Sequence, residues 1–280
     1  MNLKPIFIAA ALFLSIAALE AAKPIKALLI TGQNNHNWPV SSVVIKKQLE
    51  DSGKFEVTVA TSPKQGEDMS KFVLDFSPYK LVILDYNGDH WPEATRTGFM
   101  DFVNKGGGVV VYHAADNAFG DWPEFTKIVA LGGWGEYNEQ SGPYAYWKDG
   151  ALFKDNSPGR AGSHGKQHVY TLTRRNDKHP ITKGLPATYQ HGPDELYDRM
   201  RGPANIKEVL YTANSTLETN GSGREEILIF TVDHPKARIF HTMIGHAGPT
   251  VENSPAMNTE AFKVTLLRGC EWAATGKVSK

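Results

Sequence analysis

The stretch "GGGVVVYHAADNAFGDW", residues 106–122, decides the architecture. Three glycines precede Val109, Val110, Val111 and Tyr112, an apolar run with no polar alternation. Such a run reads as a strand covered on both faces. It then hands the chain to His113, two alanines, and the polar pair Asp116 and Asn117. An imidazole at the end of a buried strand needs a polar partner, so this strand end is the first candidate for a site.

The segments before it repeat the theme. "IKALLIT" (25–31) and "YKLVILDY" (79–86) are further apolar runs, and "FEVTVAT" (55–61) alternates like a strand. Val40, Val44, Ile45 and Leu49 form a stripe at helical spacing closed by Gly53, and Phe99, Phe102 and Val103 mark a helix ending at Gly106. Strand, helix, strand, strand, helix, strand is the rhythm of an α/β fold with a mostly parallel sheet. Residues 132–205 break the rhythm. They are rich in glycine, proline and polar residues, with one strand in "HVYTLT", and read as a long loop-rich insertion over the site. Order returns in "KEVLYTA" (207–213), "EILIFTV" (226–232) and "ARIFHTMIG" (237–245). A last helix is striped by Phe262, Leu266, Cys270 and Ala273.

Composition narrows the function classes. Thirty basic residues balance thirty acidic ones, which leaves no electrostatic footprint for nucleic acid or an anionic membrane. Cys270 is the single cysteine, which rules out an internal disulfide and a cysteine metal cluster; on its apolar stripe it reads as core. Residues 1–22 carry Lys4, an apolar run from Pro5 to Ala18, then Ala21 and Ala22. This is a secretory signal pattern, too short for a membrane span, leaving 23–280 as one domain of a periplasmic or secreted protein without a membrane partner.

In a parallel sheet, ligands bind beyond the carboxyl ends of the strands. His36 follows the first strand, Asn87 and His90 the third, His113 ends the fourth, and His246 follows the last long strand. His164 and His168 lie on the insertion, and "HGPDELYD" adds His191, Asp194 and Glu195. Asp194 and Glu195 are neighbours that point apart, and Glu195 is the one expected to reach the site. His179 and His234 precede prolines in turns and read as structural, as does His241 within a strand. The tryptophans read mainly as packing, one or two of them as a stacking platform for a sugar.

Taken together, "LDYNGDHWPE", "GGGVVVYHAADNAFGDW", "LGGWGEYNEQSGPY", "SPGRAGSHGKQH", "HPITKGLP", "DELYDR", "RIFHTMIGH" and "RGCEWAATGK" resemble the ThuA-like (trehalose utilisation) family over residues 25–277. The resemblance implies a three-layer sandwich like the flavodoxin and class I glutamine amidotransferase folds. It also implies a place in carbohydrate metabolism, beside sugar uptake and dehydrogenases that make keto-sugars. His113 and Asp116 match the family's strand-end motif, His164 and His168 its glycine-rich loop, Glu195 its "DELY" and His246 its "GH". The amidotransferase nucleophile is absent: the strand end reads "VYHAADN", with no thiol or hydroxyl. Ser163 lacks a nucleophile-elbow pattern.

The expected activity is therefore acid–base chemistry on a sugar or keto-glycoside, as a hydrolase, lyase or isomerase. His113 is the expected acid or base, oriented by Asp116, with Glu195 as the second proton-transfer group. His36, Asn87, Asn117, His164 and His168 are the expected substrate-binding residues. His36, His113 and His246 are candidate ligands for a divalent metal such as zinc. A carbohydrate-binding module without turnover, and a scaffold, are the rival readings.

Overall fold

The computed structural model describes residues 23–279, so the signal pattern at 1–22 lies outside the described residues. Among them no helix is long and apolar enough to cross a membrane. The first half follows the expected rhythm: β1 (Ile25–Thr31), α1 (Trp38–Asp51), β2 (Phe55–Thr61), β3 (Leu81–Leu84), α2 (Glu93–Asn104) and β4 (Gly108–Tyr112). A 3-10 turn, His113–Asn117, leads to α3 (Pro123–Val129). β3 and β4 are buried at every position, as continuous apolar runs require.

Gly106 and Gly107 before β4, and Gly108 at its start, are each demanded by geometry. Gly106 takes φ +92°, turning the chain out of α2. A Cβ on Gly107 would lie 2.3 Å from the Phe102 ring, and one on Gly108 2.4 Å from the Ala273 carbonyl oxygen. The last contact is with backbone, so Gly108→Ala is expected to cost about 1–3 kcal/mol through overpacking. Urea unfolding of the variant checks it.

The 132–205 stretch is more regular than its composition suggests. It holds β5 (Tyr144–Lys148), β6 (Ala151–Asp155), β7 (Ser163–His164), β8 (His168–Arg174), β9 (Thr188–Asp194) and β10 (Tyr197–Asp198), where the sequence pattern marks only β8. The β5–β6 hairpin had a legible signal. Its turn is Asp149–Gly150, both at positive φ, the pairing that favours a two-residue hairpin. β9, "TYQHGPD", contains Gly192 and Pro193 and gives no strand pattern of its own.

The chain closes with β11 (Ile206–Asn214), β12 (Glu225–Val232), β13 (Arg238–Thr242), α4 (Pro255–Asn258) and α5 (Glu260–Thr275). One sheet runs β2-β1-β3-β4-β13-β12-β11-β8-β9, with β5 and β6 attached at β12. β2, β1, β3, β4 and β13 are parallel, and the strands from β12 onward extend the sheet antiparallel. α5 packs on β4 and β13, burying Phe262, Leu266, Cys270 and Ala273. Burial of each large side chain there contributes roughly 1.5–3 kcal/mol. α1 packs on β1 and β2. β9 packs against α4 and α5, which brings the chain at Asp194–Glu195 back over the end of β4.

Candidate functional site

Three segments leave the parallel strands at one edge and a fourth crosses over them. His36 comes from the loop after β1, His113 from the end of β4, His246 from the chain after β13, and Glu195 from the end of β9. Glu195 sits at their centre. Its Oε2 lies 3.2 Å from His36 Nε2, 3.3 Å from His246 Nδ1 and 3.8 Å from His113 Nε2. Its Oε1 lies 3.9 Å from His164 Nε2. The His36 ring stands edge-on to both His113 and His246, with centroids 4.6 and 4.8 Å apart.

Each member is held by the fold. His113 is buried and takes φ +46°, a left-handed backbone that a side chain accepts only when its surroundings fix it. Its Nδ1 donates to the Met243 carbonyl at 2.7 Å, so Nε2 presents its lone pair to Glu195. The Tyr197 hydroxyl approaches that nitrogen at 3.3 Å, and the two rings stack 4.6 Å apart. His36 is placed through Asn34, whose Oδ1 accepts the His36 backbone N–H at 3.0 Å. Asn34 donates in turn to Asp85, which also accepts from Ser41 and Thr31. Burial pushes the Asp85 carboxyl up to about 7.

Asp194 is the clamp for the other two. Its Oδ1 accepts the backbone N–H groups of Glu195 and His246 at 2.8 and 3.0 Å. Its Oδ2 accepts from Gly245 N–H and His191 Nε2, both at 2.7 Å. Asp194 is wholly buried. Burial alone would raise its pKa, but the hydrogen bond and charge of His191 outweigh that and hold it below the usual carboxylate range.

The electrostatics sort the cluster. Burial, reinforced by His36, pushes His113 down to about 3, so its imidazole is neutral. Burial works against charge on Glu195 too, yet His246 and His36 outweigh it and hold the carboxyl well below its ordinary range. Burial likewise opposes charge on His246, and Glu195 outweighs it, raising His246 above the usual imidazole value. The site is an ionised carboxylate ringed by imidazoles.

The His113 shift carries a stability prediction. Between 6.5 and about 3 the unfolded chain binds a proton on this ring and the folded chain does not. Its contribution is full above pH 6.5 and is lost as pH falls toward 3. His113→Asn keeps a residue that tolerates the left-handed backbone. It is expected to cost about 1–3 kcal/mol at neutral pH and to flatten the acid loss. Urea unfolding of both proteins across this pH range, with chelator present, checks it.

Two expected site residues lie elsewhere. Asp116 does not orient His113. The left-handed backbone at His113 sends its ring to Met243 and Tyr197, whereas Asp116 Oδ2 faces His241 Nε2 at 3.4 Å. That pair is fully buried, His241 Nδ1 donates to the Val129 carbonyl, and burial pushes Asp116 up to about 6. His168 opens β8, its Nδ1 held at 2.8 Å from the Lys166 carbonyl, and it does not line the cavity. His36, Asn87, Asn117, His164, Glu195 and His246 do line it, a hollow of about 740 Å³. The contact of Tyr197 with His113 and the clamping role of Asp194 emerge only in the fold. Tyr197 follows Glu195 by two residues, but nothing in "DELYD" says that its ring stacks on His113.

A metal ion fits the donor set. The four candidate ligand atoms of His36, His113, Glu195 and His246 lie within 4.8 Å of one another. A tetrahedral zinc site sets N and O donors roughly 3.3 Å apart. The contacts of Glu195 with His36 and His246 are already at that spacing, and the wider pairs must close. His246 Nδ1 is buried without a well-aligned hydrogen bond, as is the remaining ring nitrogen of His36.

The model of the ThuA family, described as trehalose utilisation, matches residues 26–273. The chain belongs to the ThuA family. A ThuA-like protein of Parabacteroides merdae is 66% identical, with 92% of each chain covered and a TM-score of 0.91. A ThuA-like protein of Bacteroides uniformis is 19% identical over 94% of this chain and 96% of its own, with a TM-score of 0.60. A Salmonella typhimurium structure named a cytoplasmic protein is 11% identical over 89% of this chain and 99% of its own, with a TM-score of 0.50. The last two share the fold alone. No curated protein matches.

Proposed function

We propose that this ThuA-family chain is an exported enzyme acting on a sugar or oxidised keto-glycoside, with a divalent ion such as zinc held by His36, His113, His246 and Glu195. The observation that carries the reading is the Glu195 carboxylate at 3.2–3.8 Å from three imidazoles at the strand edge. The neutral His113, with its outer nitrogen tied to a carbonyl, has the form of a metal-binding imidazole. An ion there would polarise a sugar carbonyl or hydroxyl.

The chain's own groups do the rest. His164 stands outside the four, is partly exposed, and is the imidazole available for proton transfer from the cavity side. Tyr197 remains a neutral phenol, since burial drives its pKa well above the ordinary value, and can donate a hydrogen bond. The amides of Asn35, Asn87 and Asn117 offer donors and acceptors for hydroxyls, and Trp134 and Phe119 offer faces for ring C–H groups. The signal pattern of Lys4, the apolar run and Ala21–Ala22 supports export.

Purified protein is expected to retain about one equivalent of divalent metal, and chelation is expected to abolish turnover of keto-glycosides, restored by adding the ion back. Elemental analysis with a turnover assay measures both. Turnover that survives complete metal removal sinks the metal-assisted reading, and binding without turnover of any sugar sinks the enzymatic one. N-terminal sequencing of the mature protein tests export: a start near Lys23 is expected, and an intact Met1 terminus overturns it.

A further inference from the structure

Behind the cavity wall lie two ionisable groups that the proposed chemistry does not use. Asp116 and His241 are wholly buried, and Asp116 Oδ2 faces His241 Nε2 at 3.4 Å. His241 Nδ1 is engaged by the Val129 carbonyl at 2.9 Å, so in the neutral ring the nitrogen facing Asp116 is a bare acceptor. Among the described residues neither facing atom has a hydrogen-bond partner. Two bare acceptors set against each other in the interior repel, so the pair is stable only with one proton between them. Whichever atom carries that proton, the pair is neutral overall and Asp116 Oδ1 stays an acceptor.

That second oxygen is turned toward the cavity wall. Asp116 Oδ1 and the Gly133 carbonyl both stand 2.9 Å from the Asn117 side-chain amide. Both are acceptors, so the amide nitrogen faces them and both its hydrogens are engaged there. Gly133 is a fixed partner, because its neighbours are tied down. Two backbone hydrogen bonds join Gly132 to Arg201, and one joins Trp134 to Ala161. Asn117 is 6% exposed and lines the larger cavity. The polar atom left to it is the amide oxygen, which has two lone pairs and no hydrogen to give.

We infer that Asp116 and His241 are positioning residues for Asn117, and that they fix it as an acceptor-only contact selecting a ligand with a hydrogen-bond donor at that point. A ligand that brings a carbonyl or ether oxygen there sets lone pair against lone pair, and one that brings a C–H group leaves the Asn117 oxygen unpaired. On the reading of the cavity as a keto-glycoside site, the ligand's carbonyl is turned away from Asn117 and a hydroxyl meets it. The orientation of the amide holds without that reading.

The orientation is read with no ligand present, from hydrogen exchange of the side-chain amides by NMR. The Asn117 signals are identified by their loss in Asn117→Ala. Both Asn117 amide protons are expected to exchange about tenfold or more slowly than those of the exposed Asn253. Asp116→Leu removes the acceptor and is expected to abolish that protection. Asp116→Asn is expected to keep it, its nitrogen donating to His241 Nε2 and its oxygen accepting from Asn117. Selectivity is read by calorimetry with methyl glucoside and with its deoxy and fluoro analogues at each hydroxyl. Fluorine removes the donor and leaves only a weak acceptor. At one position both analogues are expected to bind about tenfold or more weakly to the parent and to Asp116→Asn. Asn117→Ala and Asp116→Leu are expected to lose that gap. If Asp116→Leu does not fold, the parent's exchange rates and Asn117→Ala decide. Fast exchange of the Asn117 amide, protection that survives Asp116→Leu, fluoro analogues that bind as the parent sugar does at every position, or a gap that survives Asn117→Ala overturns the inference. If no glucoside binds, the carbohydrate reading falls and the exchange rates still decide this one.

Discussion

Glu195→Ala is expected to abolish metal retention and to lower turnover by about a thousandfold or more. The carboxylate lies within 4 Å of all three imidazoles, His36, His113 and His246. Without it three imidazoles face each other around a hole, and a dication loses both an anionic ligand and the group that keeps the rings aligned. Three imidazole nitrogens remain to bind an ion, so residual metal at high concentration is expected, with affinity down about a hundredfold. The fold is expected to survive, because the Glu195 side chain lines the cavity and its backbone is held by Asp194. Elemental analysis, a turnover assay and a melting curve separate these effects. A variant with parental metal content and turnover would show that the cluster is structural.

Asp194→Asn strikes one step further back and is expected to be the most destabilising conservative change in the site. The two Asp194 oxygens accept from three backbone N–H groups and from His191. An asparagine has one acceptor oxygen. Either orientation of its amide turns an N–H₂ group toward two donors, and His191 loses its anionic partner in the interior. Removing a buried carboxylate charge that four donors face costs about 3–5 kcal/mol. For a chain of this size that is a fall in melting temperature of about 10 °C. The loss is directional as well: Glu195 and His246 are released together, so metal retention falls with stability. An Asp194→Asn protein that melts with the parent would refute the clamp. Tight metal binding by a destabilised variant would show that Glu195 and His246 are placed by other contacts.

Much of this site is legible in the chain, and the reasons differ by residue. His36, His113 and His246 announce themselves because parallel strands deliver their carboxyl ends to one edge, and each strand is readable as an apolar run. Glu195 is less visible. It arrives from β9, a strand whose Gly192–Pro193 pair hides it, and only the packing of β9 on α4 and α5 carries it to the edge. Asp116 shows the limit of proximity in sequence. It lies three residues from His113, yet the left-handed backbone at His113 sends the imidazole away from the Asp116 carboxyl, whose partner is His241.

By itself the sequence determined the parallel strands and their order of burial, the covering helices, the absence of cysteine chemistry, and the strand edge where polar residues collect. Those follow from local rules: apolar periodicity, glycine at close approaches, and the alternation of strand and helix. Tertiary structure alone decided which polar residues meet. Hydrogen bonds accepted by Asp194, Asp85 and the Met243 carbonyl aim the ligands, and the antiparallel strands fold Glu195 and Tyr197 over the edge. A side chain's partner across a hundred residues depends on register and on backbone angles at a few loop positions, which no local pattern encodes.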